Sequence, residues 1–228
     1  MSAVQRINDS VLGPLERPAL AWLVRRLPPK IVPDHLTAFG VFGALLTATG
    51  FVLSCRSLTW LWLASLGLII NWLGDSLDGS LARLRRIERP RYGFFIDHTV
   101  DLFCQSLTFI ALGVSPLAHF SMACLALITF LMAFVYTLIV AHTRATMRIT
   151  YLHFGPTEIR ALLVLGNLLT LVIGVVDLRR WFPVIPGTVS VSIHDAVIAL
   201  LVVVGAVAIA LLAWRDARAL NVEDPSRR

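Results

Sequence analysis

The feature that most restricts how this chain can fold is a series of apolar stretches at 36–53, 58–73, 102–112 with its flanks, 117–140, 161–176 and 193–214. Each meets or approaches the roughly 20 residues that a helix needs to cross a bilayer. About six such helices consume most of the 228 residues and leave no room for a second, soluble domain. With 57% hydrophobic and only 15% charged residues, the chain falls outside the range of soluble domains. The expected fold is all-α and integral to the membrane, with about six transmembrane helices.

Residues 1–33 lack a sustained apolar core and carry Arg6, Arg17, Arg25, Arg26 and Lys30, so they do not read as a cleaved signal peptide. Within them, 15–27 mixes Leu20, Trp22 and Leu23 with basic residues, the pattern of an amphipathic helix lying on the cytoplasmic membrane surface. The expected organisation is a cytoplasmic segment over 1–33, a six-helix membrane domain over 34–216 and a polar cytoplasmic tail over 217–228. Cys55, Cys104 and Cys124 have no paired spacing, which suggests neither a disulfide framework nor a zinc site.

Lys and Arg accumulate on the cytoplasmic side of membrane spans. If the N-terminus is inside, every basic residue except Arg56, Arg179 and Arg180 falls on the inner side. An odd number of spans would spoil that segregation, so both termini are expected in the cytoplasm. Anionic lipid headgroups and phosphorylated substrates account for such a basic face, and no nucleic-acid partner is expected. Trp60, Trp62, Trp181 and Trp214 fall near span ends, as an interfacial belt requires.

Four acidic residues lie where lipid should exclude them: Asp75, Asp78, Asp97 and Asp101. A carboxylate inside a span costs about 2.5–3.5 kcal/mol even on a lenient insertion scale, so four together need compensation. Asp75 and Asp78 stand at i and i+3, Asp97 and Asp101 at i and i+4, and each pair shares one helix face. The second span runs inward and the third outward, joined by a short basic turn over 84–92. A rise of about 1.5 Å per residue places the two pairs at matching depth. Oxygen donors without nearby Cys or a paired His favour hard divalent cations, Mg²⁺ or Mn²⁺, and two ions suit four carboxylates. Gly79 and Ala82 flank the acids and Gly93 opens the third helix, where missing side chains allow close helix packing or approach of a flat ligand. Arg83 is placed to meet a phosphate. The competing reading is structural, with the acids paired to Arg83, Arg85 and Arg86.

Asp75 to Asp101 reads DSLDGSLARLRRIERPRYGFFIDHTVD. This resembles the signature of the CDP-alcohol phosphotransferase family, D-x-x-D-G-x-x-A-R followed by G-x-x-x-D-x-x-x-D. Asp75, Asp78, Gly79, Ala82, Arg83, Gly93, Asp97 and Asp101 fill every fixed position. The resemblance implies an enzyme of phospholipid biosynthesis in which a CDP-linked alcohol donates its substituted phosphoryl group to an acceptor hydroxyl and CMP is released. At least one of the two substrates is then a lipid. It also implies that Asp75, Asp78 and Asp97 bind metal, and that Asp101 acts as general base and can touch a metal. Gly79, Ala82, Arg83 and Gly93 would contact the CDP. Val32 to Thr37 reads VPDHLT, where family members often have P-N-x-L-T. Asp34 departs from that pattern, which leaves Thr37 as the nucleotide contact and Asp34 as a helix cap. The expected location is a multi-pass position in a bacterial inner membrane with the site facing the cytoplasm, and a homodimer is compatible with the resemblance.

Two features bear on the alcohol. The D-H-T-V-D run containing His98, and GPTEIR over 155–160, resemble segments of choline and ethanolamine phosphotransferases, which points to a CDP-aminoalcohol and a diacylglycerol-like acceptor. Arg144, Arg148 and Arg160 cluster at inner helix ends, where they suit a phosphorylated polyol acceptor and hence CDP-diacylglycerol as donor, or simply follow the positive-inside rule. Glu158 and His98 are further candidates for acceptor contact, although Glu158 at a helix start equally suits capping. A cation transporter with acids along its path is the alternative from another class. It should spread polar groups across the membrane depth, whereas these gather toward one side.

Overall fold

In a computed structural model of the chain, describing residues 5–7, 12–144, 146–148, 155–177 and 192–224, the apolar stretches form long helices. In chain order these are α1 (Gly13–Val24), α2 (Pro33–Leu53), α3 (Leu61–Arg85), α4 (Pro90–Val114), α5 (Phe120–Arg144), α6 (Pro156–Ile173) and α7 (Ile193–Glu223). Helices satisfy their own backbone hydrogen bonds, which lipid cannot do for them. Five of them, α2, α3, α5, α6 and α7, are long and apolar enough to cross a membrane. α4 is equally long, but Asp97, His98, Asp101 and Gln105 lower its hydropathy. The chain is an all-helical, multi-pass membrane bundle. The described residues also hold an unforeseen parallel pairing of β1 (Gln5–Ile7) with β2 (Thr146–Arg148), described in backbone only.

From α2 to α5 consecutive helices run antiparallel, so the bundle has two ends. At one, His119 Nδ1 and backbone N–H lie 2.6 and 2.8 Å from the carboxylate of Asp195, and Ser192 Oγ donates to the Leu117 carbonyl at 2.6 Å. These bonds tie the start of α7 to the α4–α5 connection. Phe51, Leu61, Leu112 and Leu117 are fully buried there. At the other end the start of α2 meets the last turns of α3, and the starts of α4 and α6 join them.

α2 and α3 form the closest pair. Lipid tails are as apolar as leucine, so membrane helices associate through close packing rather than through hydrophobic exclusion. Gly43 and Gly50 on α2 face α3 two turns apart, and Gly67 and Gly74 on α3 return the contact. Asn71 Nδ2 donates to the Gly40 carbonyl at 3.0 Å across this seam. α5 and α7 lie at the edge of the bundle with most of their length outward. Trp60, Trp62 and Trp214 are exposed near helix ends, while Trp181 lies outside the described residues. The three cysteines are unpaired.

The α1 helix packs Leu20 and Val24 against Leu36, Leu77 and Leu81, leaving Leu15 and Trp22 exposed. Most of the connection from α1 to α2 is gathered by one side chain. Arg85, in the last turn of α3, donates to the carbonyls of Leu27 (3.2 Å), Pro28 (2.9 Å), Pro29 (3.2 Å) and Ile31. A planar guanidinium with five donors suits this bundle of acceptors. Arg85→Ala leaves four carbonyls without that donor, and trypsin should then cut faster at exposed Arg25, Arg26 and Lys30, read as the rate of N-terminal trimming in detergent.

Candidate metal centre

The α3 helix ends with Arg86 in a left-handed conformation, φ 55°, where the chain turns toward α4. Ile87 N–H closes that turn onto the Ala82 carbonyl at 3.0 Å, an arrangement common at helix C-termini. The turn sets the last part of α3 beside the first part of α4. Asp75, Asp97 and Asp101 each offer an oxygen within 4.8 Å of the others'. Their side chains keep 25%, 31% and 32% of their surface exposed, so the group is reachable from outside rather than sealed as an internal ion pair. Three carboxylates converging at this distance, with oxygen donors only, suit a hard divalent cation.

Asp78 stands outside this trio. Its Oδ2 accepts from Thr37 Oγ1 at 2.7 Å, and its Oδ1 accepts from the Gly79 N–H at 2.5 Å. Thr37 thus links the start of α2 to the acidic face of α3. Asp34 lies inside the first turn of α2, with Val32 at the cap position, and pairs with Arg89 rather than capping.

The structural reading of the acids named Arg83, Arg85 and Arg86. Arg85 is engaged with backbone carbonyls, and Arg83 folds back over Gly79, its Nη2 donating to Ser80 Oγ at 3.2 Å. The cation on the cluster is instead Arg160 of α6. Its Nη1 donates to Asp75 Oδ2 at 2.8 Å, and its Nη2 lies 3.8 Å from Asp101 Oδ1. Among the described residues Nε and Nη2 are buried without a hydrogen-bond partner. Positive-inside counting, which expected an arginine at a helix end, does not account for one turned inward onto acids 85 and 59 residues away in sequence.

Glu158 is buried, and both oxygens are used. Oε2 accepts from the Gly155 N–H at 2.8 Å, capping α6, and Oε1 accepts from the Leu12 N–H at 3.0 Å. Glu16 of α1 accepts from Trp72 Nε1 (2.9 Å), Ser76 Oγ (3.2 Å) and Thr157 Oγ1 (3.3 Å). None of these three contacts of Glu16 was foreseen, and an isolated acid in a short helix offers no spacing signal for them. Together Glu16 and Glu158 fix the first turn of α6, from which Arg160 projects. Glu158→Ala leaves one buried and one part-buried N–H unpaired, and thermal unfolding in detergent should show a loss of about 1–3 kcal/mol.

His98 donates from Nδ1 to the Phe94 carbonyl at 2.8 Å and stacks on the Phe94 ring at 4.1 Å. Its Nδ1 lies 3.7 Å from Asp97 Oδ2, so it borders the cluster. Ala82 is half-buried, and Gly93 is exposed with nothing within 4 Å of where a Cβ would sit. The side chains of Arg144 and Arg148 lie outside the described residues.

Residues 30–214 match the CDP-alcohol phosphatidyltransferase family. Over 110 residues the chain is 36% identical to cholinephosphotransferase 1 of Gallus gallus, covering 46% of this chain and 32% of that protein. Over 84 residues it is 40% identical to an uncharacterized protein of Aquifex aeolicus, covering 37% of this chain and 40% of that one. Over 104 residues it is 31% identical to phosphatidylinositol phosphate synthase of Cutibacterium acnes, covering 43% of this chain and 48% of that protein. The aligned part spans less than half the length of each of these relatives.

Proposed function

Because the chain belongs to the CDP-alcohol phosphatidyltransferase family, we propose that it transfers a substituted phosphoryl group from a CDP-alcohol to an acceptor hydroxyl and releases CMP. The observation that carries this reading is the convergence of Asp75, Asp97 and Asp101 at one end of a membrane bundle. Asp75, Asp78 and Asp97 are the ligands for Mg²⁺ or Mn²⁺, with two ions as the fuller complement, and Asp101 is the base, near enough to touch an ion as well. Ions held there would neutralise the charge that develops on departing CMP. The acceptor oxygen bonds the distal phosphorus of the diphosphate, and the bridging oxygen leaves with CMP. The hydroxyl proton passes to a carboxylate oxygen of Asp101, which must lie within hydrogen-bond reach of it.

Arg83, Gly79, Ala82, Gly93 and Thr37 are assigned to the CDP moiety. Arg83 and Gly93 are exposed and Gly93 has open space beside it, which suits an incoming nucleotide. On the acceptor side we place Arg160, Arg144, Arg148 and His98, with Glu158 supporting from behind through its cap. The unpartnered donors of Arg160 suit an anionic group. Relatives named as a cholinephosphotransferase and a phosphatidylinositol phosphate synthase keep both donors in view. The D-H-T-V-D and GPTEIR runs favour a CDP-aminoalcohol with a diacylglycerol-like acceptor.

The proposed disposition has six spans, α4 included, with both termini and the metal centre facing the cytoplasm of a bacterial inner membrane. In it α1 lies at the interface, its exposed Leu15 and Trp22 toward lipid. Residues 1–33 form the cytoplasmic segment, 34–216 the catalytic domain and 217–228 the tail, and the outward faces of α5 and α7 leave room for a second copy. The test is CMP release by purified protein in lipid nanodiscs. CDP-choline with diacylglycerol is compared against CDP-diacylglycerol with a polyol phosphate, each with Mg²⁺ or Mn²⁺. CMP from either pair, dependent on the ion, is the expected result. No CMP from any CDP-alcohol overturns the proposal.

A further inference from the structure

Two of the three carboxylates that can hold a divalent ion already face a cation that belongs to the protein. The Arg160 side chain is 6% exposed, bonded to Asp75 and close to Asp101. A guanidinium does not lose its proton in proteins. This one also has little freedom to withdraw. The turn of α6 that carries it is fixed by the Glu158 cap, by the Glu158 bond to Leu12, and by the Thr157 bond to Glu16. Whatever cation enters the cluster therefore meets a fixed positive charge a few ångströms away, on the buried side of the carboxylates, where screening is weaker than in bulk water.

We infer that Arg160 is a positioning residue for the metal centre: it holds Asp75 and Asp101 turned inward when no ion is bound, and it weakens divalent-ion binding by like-charge repulsion. This rests on the metal reading of Asp75, Asp97 and Asp101. Without a counter-cation, three carboxylates within 4.8 Å would repel one another and turn outward, losing the geometry before an ion arrived. With a permanent one, the geometry persists, at the expense of affinity. Among the described residues Nε and Nη2 lack a hydrogen-bond partner, which fits this role, because a guanidinium placed only to stabilise the fold would have its buried donors satisfied.

The test measures Mn²⁺ affinity of the full chain in nanodiscs, with no nucleotide or acceptor lipid, from the free-ion signal in electron paramagnetic resonance. Arg160→Gln and Arg160→Met, two neutral variants of which either suffices, should bind Mn²⁺ about tenfold more tightly than the unchanged protein, whereas Arg160→Lys, which keeps the charge, should stay within about threefold of it. The metal-free neutral variants should also melt below the unchanged protein, with the gap closing at saturating Mn²⁺. A residue that only braces the fold would move the melting point without tightening the ion. Equal or weaker Mn²⁺ binding in the neutral variants overturns the inference while the metal reading stands. Absence of Mn²⁺ binding in the unchanged protein and in every variant removes both.

Discussion

Asp101→Asn should lower the rate of CMP release by on the order of 10²–10⁴-fold, the usual contribution of a positioned general base, while leaving the protein folded. Asparagine keeps the size and the hydrogen-bonding edge of the side chain but cannot take a proton. Asp101 sits one turn beyond Asp97 on α4, and about a third of its side chain is exposed, so an acceptor can reach it. The prediction is sharpened by comparison with its neighbours. Asp75→Asn and Asp97→Asn remove assigned ligands, so they should reduce both activity and Mn²⁺ affinity. Asp101→Asn should reduce mainly the turnover rate and weaken Mn²⁺ binding far less. Asp78→Asn falls between, since Asp78 stands outside the close trio and is held by Thr37. If Asp101→Asn turns over at the unchanged rate in well-folded protein, the base is another group. If it loses Mn²⁺ as fully as Asp97→Asn, Asp101 serves as a ligand before anything else.

Hydropathy reads the apolar middle of a helix well and its polar ends poorly. The stretch 58–73 marks α3, yet the helix continues to Arg85, and the apolar run 102–112 marks the latter half of α4, whose opening read at Gly93 falls three residues after its start at Pro90. The missing turns are those that carry the acids, where charged residues lower the hydropathy while the backbone stays helical. Spacing shows that Asp75 and Asp78 share a face, and Asp97 and Asp101 likewise. It does not show the rotation of each helix about its axis, which depends on packing. In the structure that rotation turns Asp75 toward α4 and Asp78 toward Thr37 on α2. Arg160 was legible as a cation near the inner helix ends, but its insertion between Asp75 and Asp101 depends on how α6 docks against α3. Arg85 looks like any other member of a basic run until the α1–α2 connection passes beneath it. Glu158 was legible as a cap, because capping is local and follows from its position after Gly155 and Pro156.

Alanine at Gly43, Gly67 or Gly74 should destabilise the bundle by about 1–3 kcal/mol each, the usual range for overfilling a packed interior, and should lower activity through the same displacement. A Cβ at Gly43 would lie 2.4 Å from the Asn71 nitrogen, at Gly67 2.4 Å from the Thr47 nitrogen, and at Gly74 2.4 Å from the Gly40 nitrogen. All three obstacles are backbone, so no side chain can swing aside and the two helices must separate. Gly74 directly precedes Asp75, and the Thr37–Asp78 bond crosses the same interface, so a shift of α3 against α2 moves the acids with it. Two alanines together should cost less than the sum of the single changes, because the first already opens the space that the second needs. Gly93→Ala is the control, since nothing lies within 4 Å of its Cβ position. Its stability should stay within about 0.5 kcal/mol. Packing asks for no glycine there, so a fall in activity without a fall in melting temperature would mark Gly93 as a place kept clear for the nucleotide. Melting curves in detergent, read beside CMP release, separate the two kinds of glycine. If Gly67→Ala melts with the unchanged protein, the helices do not approach this closely in the folded chain.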